Sequence, residues 1–309
     1  MRLAHLTDLH LPIVARPKPA ELLSKRAFGY LSWRRNRQFR HRKSALDAIV
    51  ADAARARPDF TAISGDLVNI SLISEFSYAA QWLNENFDAR AVALVPGNHD
   101  AYVRMPWREG AGMFAGFMVG ARGESEAMRA PTDAEDFPFV RSVGEVSLVF
   151  ANSAPPTAPG LATGRLGPEQ IRRIGLELAR LKAAGQCRVL VLHHPVTEGA
   201  TSGRKALDDR GALRSALAAC GVELVLHGHT HHSIWASVET PEGPRPVIGG
   251  ASASHGDAHG KYRPARYNLF TIERDAPTGW RIEVEVRELD PAIGEVKTAD
   301  RRTLLPGPS

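Results

Sequence analysis

Five short blocks of histidine and aspartate each close an apolar, strand-like run: Asp8-Leu9-His10, Gly65-Asp66, Gly97-Asn98-His99-Asp100, His193-His194-Pro195 and Gly228-His229-Thr230-His231. Neutral imidazoles joined by carboxylate and amide oxygens are a ligand set that borderline divalent cations accept, with no thiol required. In an open α/β sheet the residues just after the strands converge on one crevice, so blocks far apart in the chain can meet there. Alone, Asp8-Leu9-His10 and Gly65-Asp66 say little in a chain with 12 histidines. Gly97-Asn98-His99-Asp100 is more specific, because a glycine turn must at once present three polar side chains. In Gly228-His229-Thr230-His231 the two rings stand two residues apart, so on extended backbone they face one side and reach a common site. Taken in order, the five blocks point to two metal ions in one pocket.

The elements that must position these blocks are legible as apolar runs at 2–6, 60–63, 91–95, 188–192, 222–226 and 245–248. They are short, β-branched and unalternating, as strands covered on both faces are. Helical patterns over 44–57, 75–87, 168–184 and 211–219 lie between them, and the alternation predicts an α/β core. Residues 144–150, 267–273 and 280–288 have a different texture. Trp280-Arg281-Ile282-Glu283-Val284-Glu285-Val286 alternates almost strictly, the pattern of half-exposed antiparallel strands.

With 309 residues, 43% of them hydrophobic, the chain can bury a full core. It reads as one domain over residues 1–290 with two insertions, followed by a polar tail, 291–309, that is loose or packed at an edge. Cys187 and Cys220 lie beside or within apolar or helical runs, which suits reduced thiols in a reducing compartment. The first block starts at Asp8, leaving no room for a cleavable leader, and no apolar run reaches the roughly 18 residues that span a bilayer. The expectation is a cytoplasmic protein able to touch the inner face of a membrane.

Residues 101–139 are rich in Gly, Met and Phe and carry Trp107, Phe114, Phe117 and Met118 at near-helical spacing. They read as a helical cap beside the site, or else as aromatics laid against the sheet. The other insertion, residues 16–43, holds ten Lys and Arg against the single acid Glu21, a net +9 that leaves −4 for the rest of a chain of formal charge +5. These cations interleave with Leu22, Leu23, Phe28, Tyr30, Leu31, Trp33 and Phe39, a composition suited to an anionic lipid surface. If half of the charge reached such a surface, roughly 4 to 5 kcal/mol of attraction would follow. A solvated helical excursion folded back on the core, or a nucleic-acid contact using the same charge, are the other readings.

The ordered set resembles the calcineurin-like metallophosphoesterase superfamily, whose pattern runs D-x-H, G-D, G-N-H-D/E, H and G-H-x-H; every motif is present between residue 1 and about residue 255. That resemblance implies a four-layer αββα sandwich of two mixed β-sheets, here with helical insertions. It implies that Asp8, His10, Asp66 and His231 hold one metal ion and Asp66, Asn98, His193 and His229 the other, Asp66 being shared. Mn, Fe and Zn all suit such ligands, with Mn taken first. A hydroxide shared between two cations is a competent nucleophile at neutral pH and would attack phosphorus in line with the ester bond.

His99 is not a ligand in that family. It is assigned to hydrogen-bond the phosphoryl oxygen or protonate the leaving group, with Asp100 orienting its ring and keeping it basic. Neighbours on a strand face opposite ways, so only one of His193 and His194 points inward. The family pattern favours His193, which leaves His194 to pack or to meet substrate alongside Asn98 and His99. His255, in the Ala251-Ser252-Ala253-Ser254-His255-Gly256 loop, and His259 are candidates for the substrate rim. His5, His41, His227 and His232 receive no role.

Residues 164–181, with Gln170 and its leucines, resemble the helix before the fourth motif in the family's phosphodiesterase branch. Residues 25–37 are similar to a stretch in bacterial metallophosphoesterases of the phospholipase C type. Together these resemblances imply a metal-dependent phosphodiesterase that takes a glycerophospholipid and releases a phosphorylated head group. A cyclic-nucleotide phosphodiesterase is the rival among enzymes, and a scaffold that kept the fold but lost catalysis is the rival outside them.

Overall fold

In the computed structural model, which describes residues 1–123, 125–275 and 279–305, the strand-like runs assemble as two sheets. The strands are β1 (Arg2–Leu6), β2 (Phe60–Ile63), β3 (Val92–Leu94), β4 (Gly120–Arg122), β5 (Ser125–Arg129), β6 (Phe139–Val143) and β7 (Val146–Phe150). They continue as β8 (Cys187–Val191), β9 (Leu224–His227), β10 (Ile234–Val238), β11 (Arg245–Gly249), β12 (Arg266–Asp275), β13 (Gly279–Asp290) and β14 (Glu295–Leu305). One sheet has the order β14-β13-β12-β1-β2-β3, the other β10-β11-β9-β8-β7-β6-β4-β5. Both are mixed: β1, β2 and β3 run parallel while β12 lies antiparallel to β1, and β7, β8, β9 and β11 run parallel while β6 and β10 do not.

The unalternating apolar strands are buried on both faces, as their composition requires. Along β7 and β8, Val146, Leu148, Phe150, Cys187, Val189 and Val191 enter the core between the sheets, while Val149, Leu190 and the following Leu192 enter a second core beneath the helices. Those outer helices are α5 (Pro168–Ala183) and α6 (Arg210–Cys220). On the far side, α3 (Lys43–Ala56) packs across β12, β13 and β14, and α4 (Ile73–Asn86) contributes Phe76 and Ala79 to the main core. Asp52 fastens α3 to its sheet, accepting from the Tyr267 hydroxyl at 2.8 Å and from Arg287 at 2.9 and 3.0 Å. The layers are therefore helix, sheet, sheet, helix.

Two expectations need correction. The polar segment after residue 290 is packed at an edge rather than loose, because Glu295–Leu305 forms the edge strand β14, so the sheet continues past the expected boundary at residue 290. Its register is held by the antiparallel ladder and by contacts such as Arg287 Nη1 to Thr298 Oγ1 at 2.7 Å. Residues 101–139 are not a helical cap either. They form short 3₁₀ turns and β4 and β5, and Phe114, Phe117 and Met118 are buried in the core because an apolar sheet and α4 lie within reach. The cysteines are free, as expected.

In the basic insertion, α1 (Arg26–Ser32) passes through a π-helical turn at Trp33–Arg37 into α2 (Gln38–Arg40), and the run lies against the site. No helix among the described residues is long and apolar enough to cross a membrane.

The strands that deliver the fourth and fifth blocks are clamped together by a buried ion pair. Arg188 of β8, 2% exposed, donates to Glu223, just before β9, through Nη2 at 2.6 Å, Nε at 2.9 Å and its backbone N–H at 2.7 Å. Replacing one partner strands a buried charge, so Glu223→Ala is expected to cost about 3–5 kcal/mol. Urea titration should show the lower midpoint with activity per folded molecule retained; an unchanged midpoint would deny the clamp its role.

Candidate metal centre

Every block sits at the carboxyl end of a strand: Asp8 and His10 after β1, Asp66 after β2, Asn98 after β3, His193 after β8, and His229 and His231 after β9. The chain turns so sharply there that Asp8, His10, Asp66, His229 and His231 take φ values of 52°, 42°, 58°, 71° and 57°. Left-handed backbone costs a non-glycine residue about 1–3 kcal/mol and persists where the surroundings over-determine it. Here they do. Asp8 N–H donates to Gly65 O at 3.0 Å, His10 N–H to Asp66 O at 2.9 Å, Ser252 Oγ to Asp8 O at 2.7 Å, and His229 N–H to Asp8 Oδ2 at 3.1 Å.

The side chains meet in two sets. In the first, His231 Nε2 lies 3.2 Å from both Asp8 Oδ1 and His10 Nε2, and His10 Nε2 lies 3.7 Å from Asp66 Oδ2. In the second, His193 Nε2 is 3.4 Å from the same Asp66 Oδ2, 3.1 Å from Asn98 Oδ1 and 3.3 Å from His229 Nδ1, which is 2.7 Å from Asn98 Oδ1. A cation with bonds of about 2.0–2.2 Å keeps neighbouring ligand atoms roughly 2.9–3.5 Å apart; most of these contacts fall in that range, while His10 to Asp66 at 3.7 Å is longer and His229 to Asn98 at 2.7 Å is shorter. Asp66 Oδ2 is the atom that lies beside both sets. The distal ring nitrogens are tied down as well: His193 Nδ1 to Ser64 O at 2.6 Å and His10 Nδ1 to Val68 O at 3.2 Å. Such bonds fix the tautomer and aim the other nitrogen at the site.

The electrostatics suit cation binding. Burial raises the Asp66 carboxyl, but His193, His99 and His10 outweigh it and hold the group well below its usual range. Burial lowers His193 too, yet Asp66 beside it brings the ring to about 9. Burial drives His10 and His229 well below their ordinary value, so those rings stay neutral with lone pairs available.

The structure corrects three assignments. Asp100 does not touch the His99 ring; its carboxylate accepts the backbone N–H groups of Asp66 at 2.8 Å, Leu67 at 2.9 Å, Val68 at 3.1 Å and Gly97 at 2.8 Å. His99 is not kept basic: burial and the neighbouring Arg37 push it down to about 3. Its Nδ1 donates to Asn69 O at 2.5 Å and its Nε2 accepts from Arg37 at 2.9 Å. His194 is fully buried, bonded to the Ser153 hydroxyl at 2.9 Å and packed on His193 and His229, so it does not face substrate. His255 does line the cavity, its Nε2 3.4 Å from His231 Nδ1.

Arg37 and His41 are functional candidates that the sequence reading missed. Arg37 lies on the helical run and His41 just past its end on extended backbone, where the loop after β11 meets it, a long-range pairing that no local pattern announces.

A sandwich of two mixed sheets, with aspartate, asparagine and histidine gathered at the strand ends, defines a metal-dependent phosphoesterase. The chain belongs to the calcineurin-like phosphoesterase family, whose model matches residues 1–233. In fold it is similar to a dimetal phosphatase from Danio rerio, with a TM-score of 0.60, 12% identity and 98% of each chain covered. It is also similar to a purple acid phosphatase from yellow lupin, with a TM-score of 0.59 and 14% identity over 98% of this chain and 53% of that one. No curated protein matches the sequence.

Removing the Asp100 carboxylate leaves four amide hydrogens without their acceptor, at about 1–3 kcal/mol for each that stays buried. Asp100→Ala is therefore expected to lower the melting temperature and the metal content together, with Asp100→Asn intermediate. Wild-type stability with an altered pH–rate profile would return Asp100 to proton transfer.

Proposed function

We propose that this chain is a phosphodiesterase acting on glycerophospholipids, with Asp8, His10, Asp66 and His231 holding one metal ion and Asp66, Asn98, His193 and His229 the other. The observation that carries the lipid reading is the character of the cavity above the ligands. It has a volume of about 780 Å³, and Lys25, Arg37, Arg40, Arg204, Lys205 and Lys261 line it, with Asp66 at the floor as the one acid among its lining residues. Such a wall draws in an anionic ester. The lip is apolar: Phe28 is 71% exposed, and Leu23, Leu31 and Phe39 of the same insertion are exposed too.

The insertion divides its charge between core and surface. Arg26 donates to Ile70 O and Ser71 O, Lys25 to Thr157, and Arg37 to His99, while Arg42 pairs with Asp257 and Lys43 with Asp47. Arg16, Lys18, Arg34, Arg35 and Arg40 remain exposed. At about 1 kcal/mol per charge near an anionic leaflet, five cations and a few apolar side chains are enough for reversible docking beside the mouth of the site.

Bound cations supply an acidified water and neutralise charge on the phosphoryl oxygens. The remaining work falls to the chain. Asp66 is held between the two imidazole sets, its Oδ1 accepting the His99 N–H at 2.7 Å. Arg37 is half-buried and its guanidinium meets a neutral imidazole rather than an acid. A phosphoryl oxygen arriving there is a better acceptor than that imidazole, because a bond between two charged groups is roughly twice as strong. Arg37 is thus the residue that receives the ester, and His99, anchored on Asn69 O, sets where the guanidinium waits.

With manganese, the purified protein is expected to hydrolyse bis-p-nitrophenyl phosphate, and Asp66→Ala or Asn98→Ala to abolish turnover; full turnover in either would overturn the ligand assignment. Arg37→Ala should lower kcat/KM tenfold to a hundredfold, the worth of a charge-assisted hydrogen bond of about 1.5–3 kcal/mol. On a substrate panel, turnover of cyclic AMP or a monoester far above that of phosphatidylglycerol vesicles would remove the lipid reading. Changing Arg16, Lys18, Arg34 and Arg35 to serine should abolish co-sedimentation with anionic vesicles and spare the small-substrate rate.

A further inference from the structure

Tyr102 lies just past the third block, outside all of the motifs, and its side chain lines the cavity. We propose that Tyr102 is a positioning residue of this site, acting through His99 on Arg37, an inference that rests on the reading of Arg37 as the group that receives the ester. Its work is to fix the plane of the imidazole beside which the guanidinium waits.

An imidazole can turn within its plane or tilt out of it. The bond from His99 Nδ1 to Asn69 O at 2.5 Å settles the turn. Tyr102 settles the tilt, because its ring lies parallel to that of His99, with 5.6 Å between centroids and 7° between planes. Offset parallel rings are a favoured aromatic arrangement, and each resists the tilting of the other. Arg37 Nη1 stands 3.1 Å from Nδ1 and 2.9 Å from Nε2 of the same imidazole, near enough to both that a tilt of the ring would displace it.

Tyr102 is itself firmly held. Its N–H donates to Ser71 Oγ at 2.9 Å and the same hydroxyl donates to His99 O at 2.8 Å, so one side chain fastens the backbone under both rings. The backbone of α1 lies close against the phenol: a Cβ on Gly29 would meet Tyr102 Oη at 2.7 Å and Cε1 at 2.9 Å. Lys25, half-buried, holds its ammonium over the ring, 4.3 Å from the centroid. That ammonium is anchored in turn on Thr157 Oγ1 at 2.9 Å, Thr157 O at 3.2 Å and Leu161 O at 3.3 Å. A cation over an aromatic face is attracted by the ring quadrupole, and desolvation strengthens the contact. Tyr102 thus stands between the start of the helical run, Lys25 to Gly29, and the imidazole that sets Arg37 near its end. Arg37 finds its place from both directions, through its own helix and through the stack.

The test uses the full chain with manganese and compares Tyr102→Phe, Tyr102→Leu, Arg37→Ala and the double variant Arg37→Ala/Tyr102→Leu. The readouts are kcat/KM for bis-p-nitrophenyl phosphate and, by calorimetry, the affinity for inorganic phosphate. Tyr102→Phe keeps the ring and should match wild type, whereas Tyr102→Leu should lower kcat/KM about threefold to tenfold, the scale of one aromatic pair, with phosphate affinity falling alongside. In the Arg37→Ala background the same replacement should bring no further loss, because a residue that acts through another is silent once that other is gone. Equal losses in both backgrounds would overturn the proposal, since a ring that only packs acts independently of Arg37. Tyr102→Leu at the wild-type level, or Tyr102→Phe as impaired as Tyr102→Leu, would overturn it too. Arg37→Ala at the wild-type level would sink the reading of Arg37 and the proposal with it. A wild type that leaves the diester intact would instead sink the phosphodiesterase reading, and the phosphate affinities would then decide on Tyr102; no phosphate binding either overturns both. If Tyr102→Leu fails to fold, Ser71→Ala, which unfastens the backbone under both rings, should show the same dependence on Arg37, and its absence there overturns the assignment.

Discussion

One buried carboxylate organises this molecule. Asp66 is 1% exposed, lies between two groups of imidazoles and sits on left-handed backbone, three costs that the chain must meet at one residue. The second buried carboxylate, Asp100, makes this possible. By accepting the amides of residues 66, 67, 68 and 97 it binds the loop after β2 to the loop after β3 and fixes where Asp66 points. The same approach explains Gly97, where a Cβ would fall on the Asp66 carboxylate and backbone. Side chains drawn from five strand ends can converge on one carboxylate only if the loops between them are this rigid.

Much of this was readable in residues because it is local. Asp8-Leu9-His10 and Gly228-His229-Thr230-His231 announce themselves through spacing at the ends of apolar strands, and unalternating runs separated by helical ones point to an α/β core, while the four αββα layers came from the family resemblance. The strands that escaped notice lack that signal. β14 carries Glu295, Lys297, Arg301 and Arg302 on its exposed positions and is held by pairing with β13 rather than by an apolar face of its own. β4, three residues with a glycine, is too short to show a period. His99-Asp100 misled for a different reason. Adjacent residues suggest a dyad, but their side chains diverge, and which N–H groups a carboxylate will find depends on loops that only the folded chain brings together.

Residues 16–43 were read as a charged surface, and that is half of what they are. Charge and amphipathy are visible in a sequence, but the direction in which an insertion folds is not. Here the run turns inward because Gly29 allows it to settle on Ile70 and Tyr102, which a Cβ would meet at 2.6 and 2.7 Å. The π-helical turn at Trp33–Arg37 then brings the segment across the site, an irregularity of the kind that recurs at functional positions. Arg37, and His41 just past the helix end, line the cavity while Arg34, Arg35 and Phe39 stay outside. A surface element and a site element are thus the same helix.

That economy bears on how the site stays ready without collapsing. Asp8, Asp66 and Asp100 are all buried, and the imidazoles around them are mostly neutral, so the local charge is met within the chain chiefly by His193 against Asp66 and by Arg37 nearby. Neither compensation is complete. Arg37 is turned to an imidazole, not to an acid, and His193 must give up its proton to act as a ligand. Buried acids with a borrowed proton and a guanidinium turned to an imidazole make a poor end state, and burial beside Asp66 already raises Asp100 to about 7. The cost of holding the cluster open falls on the strained turns at the strand ends, where left-handed backbone is concentrated.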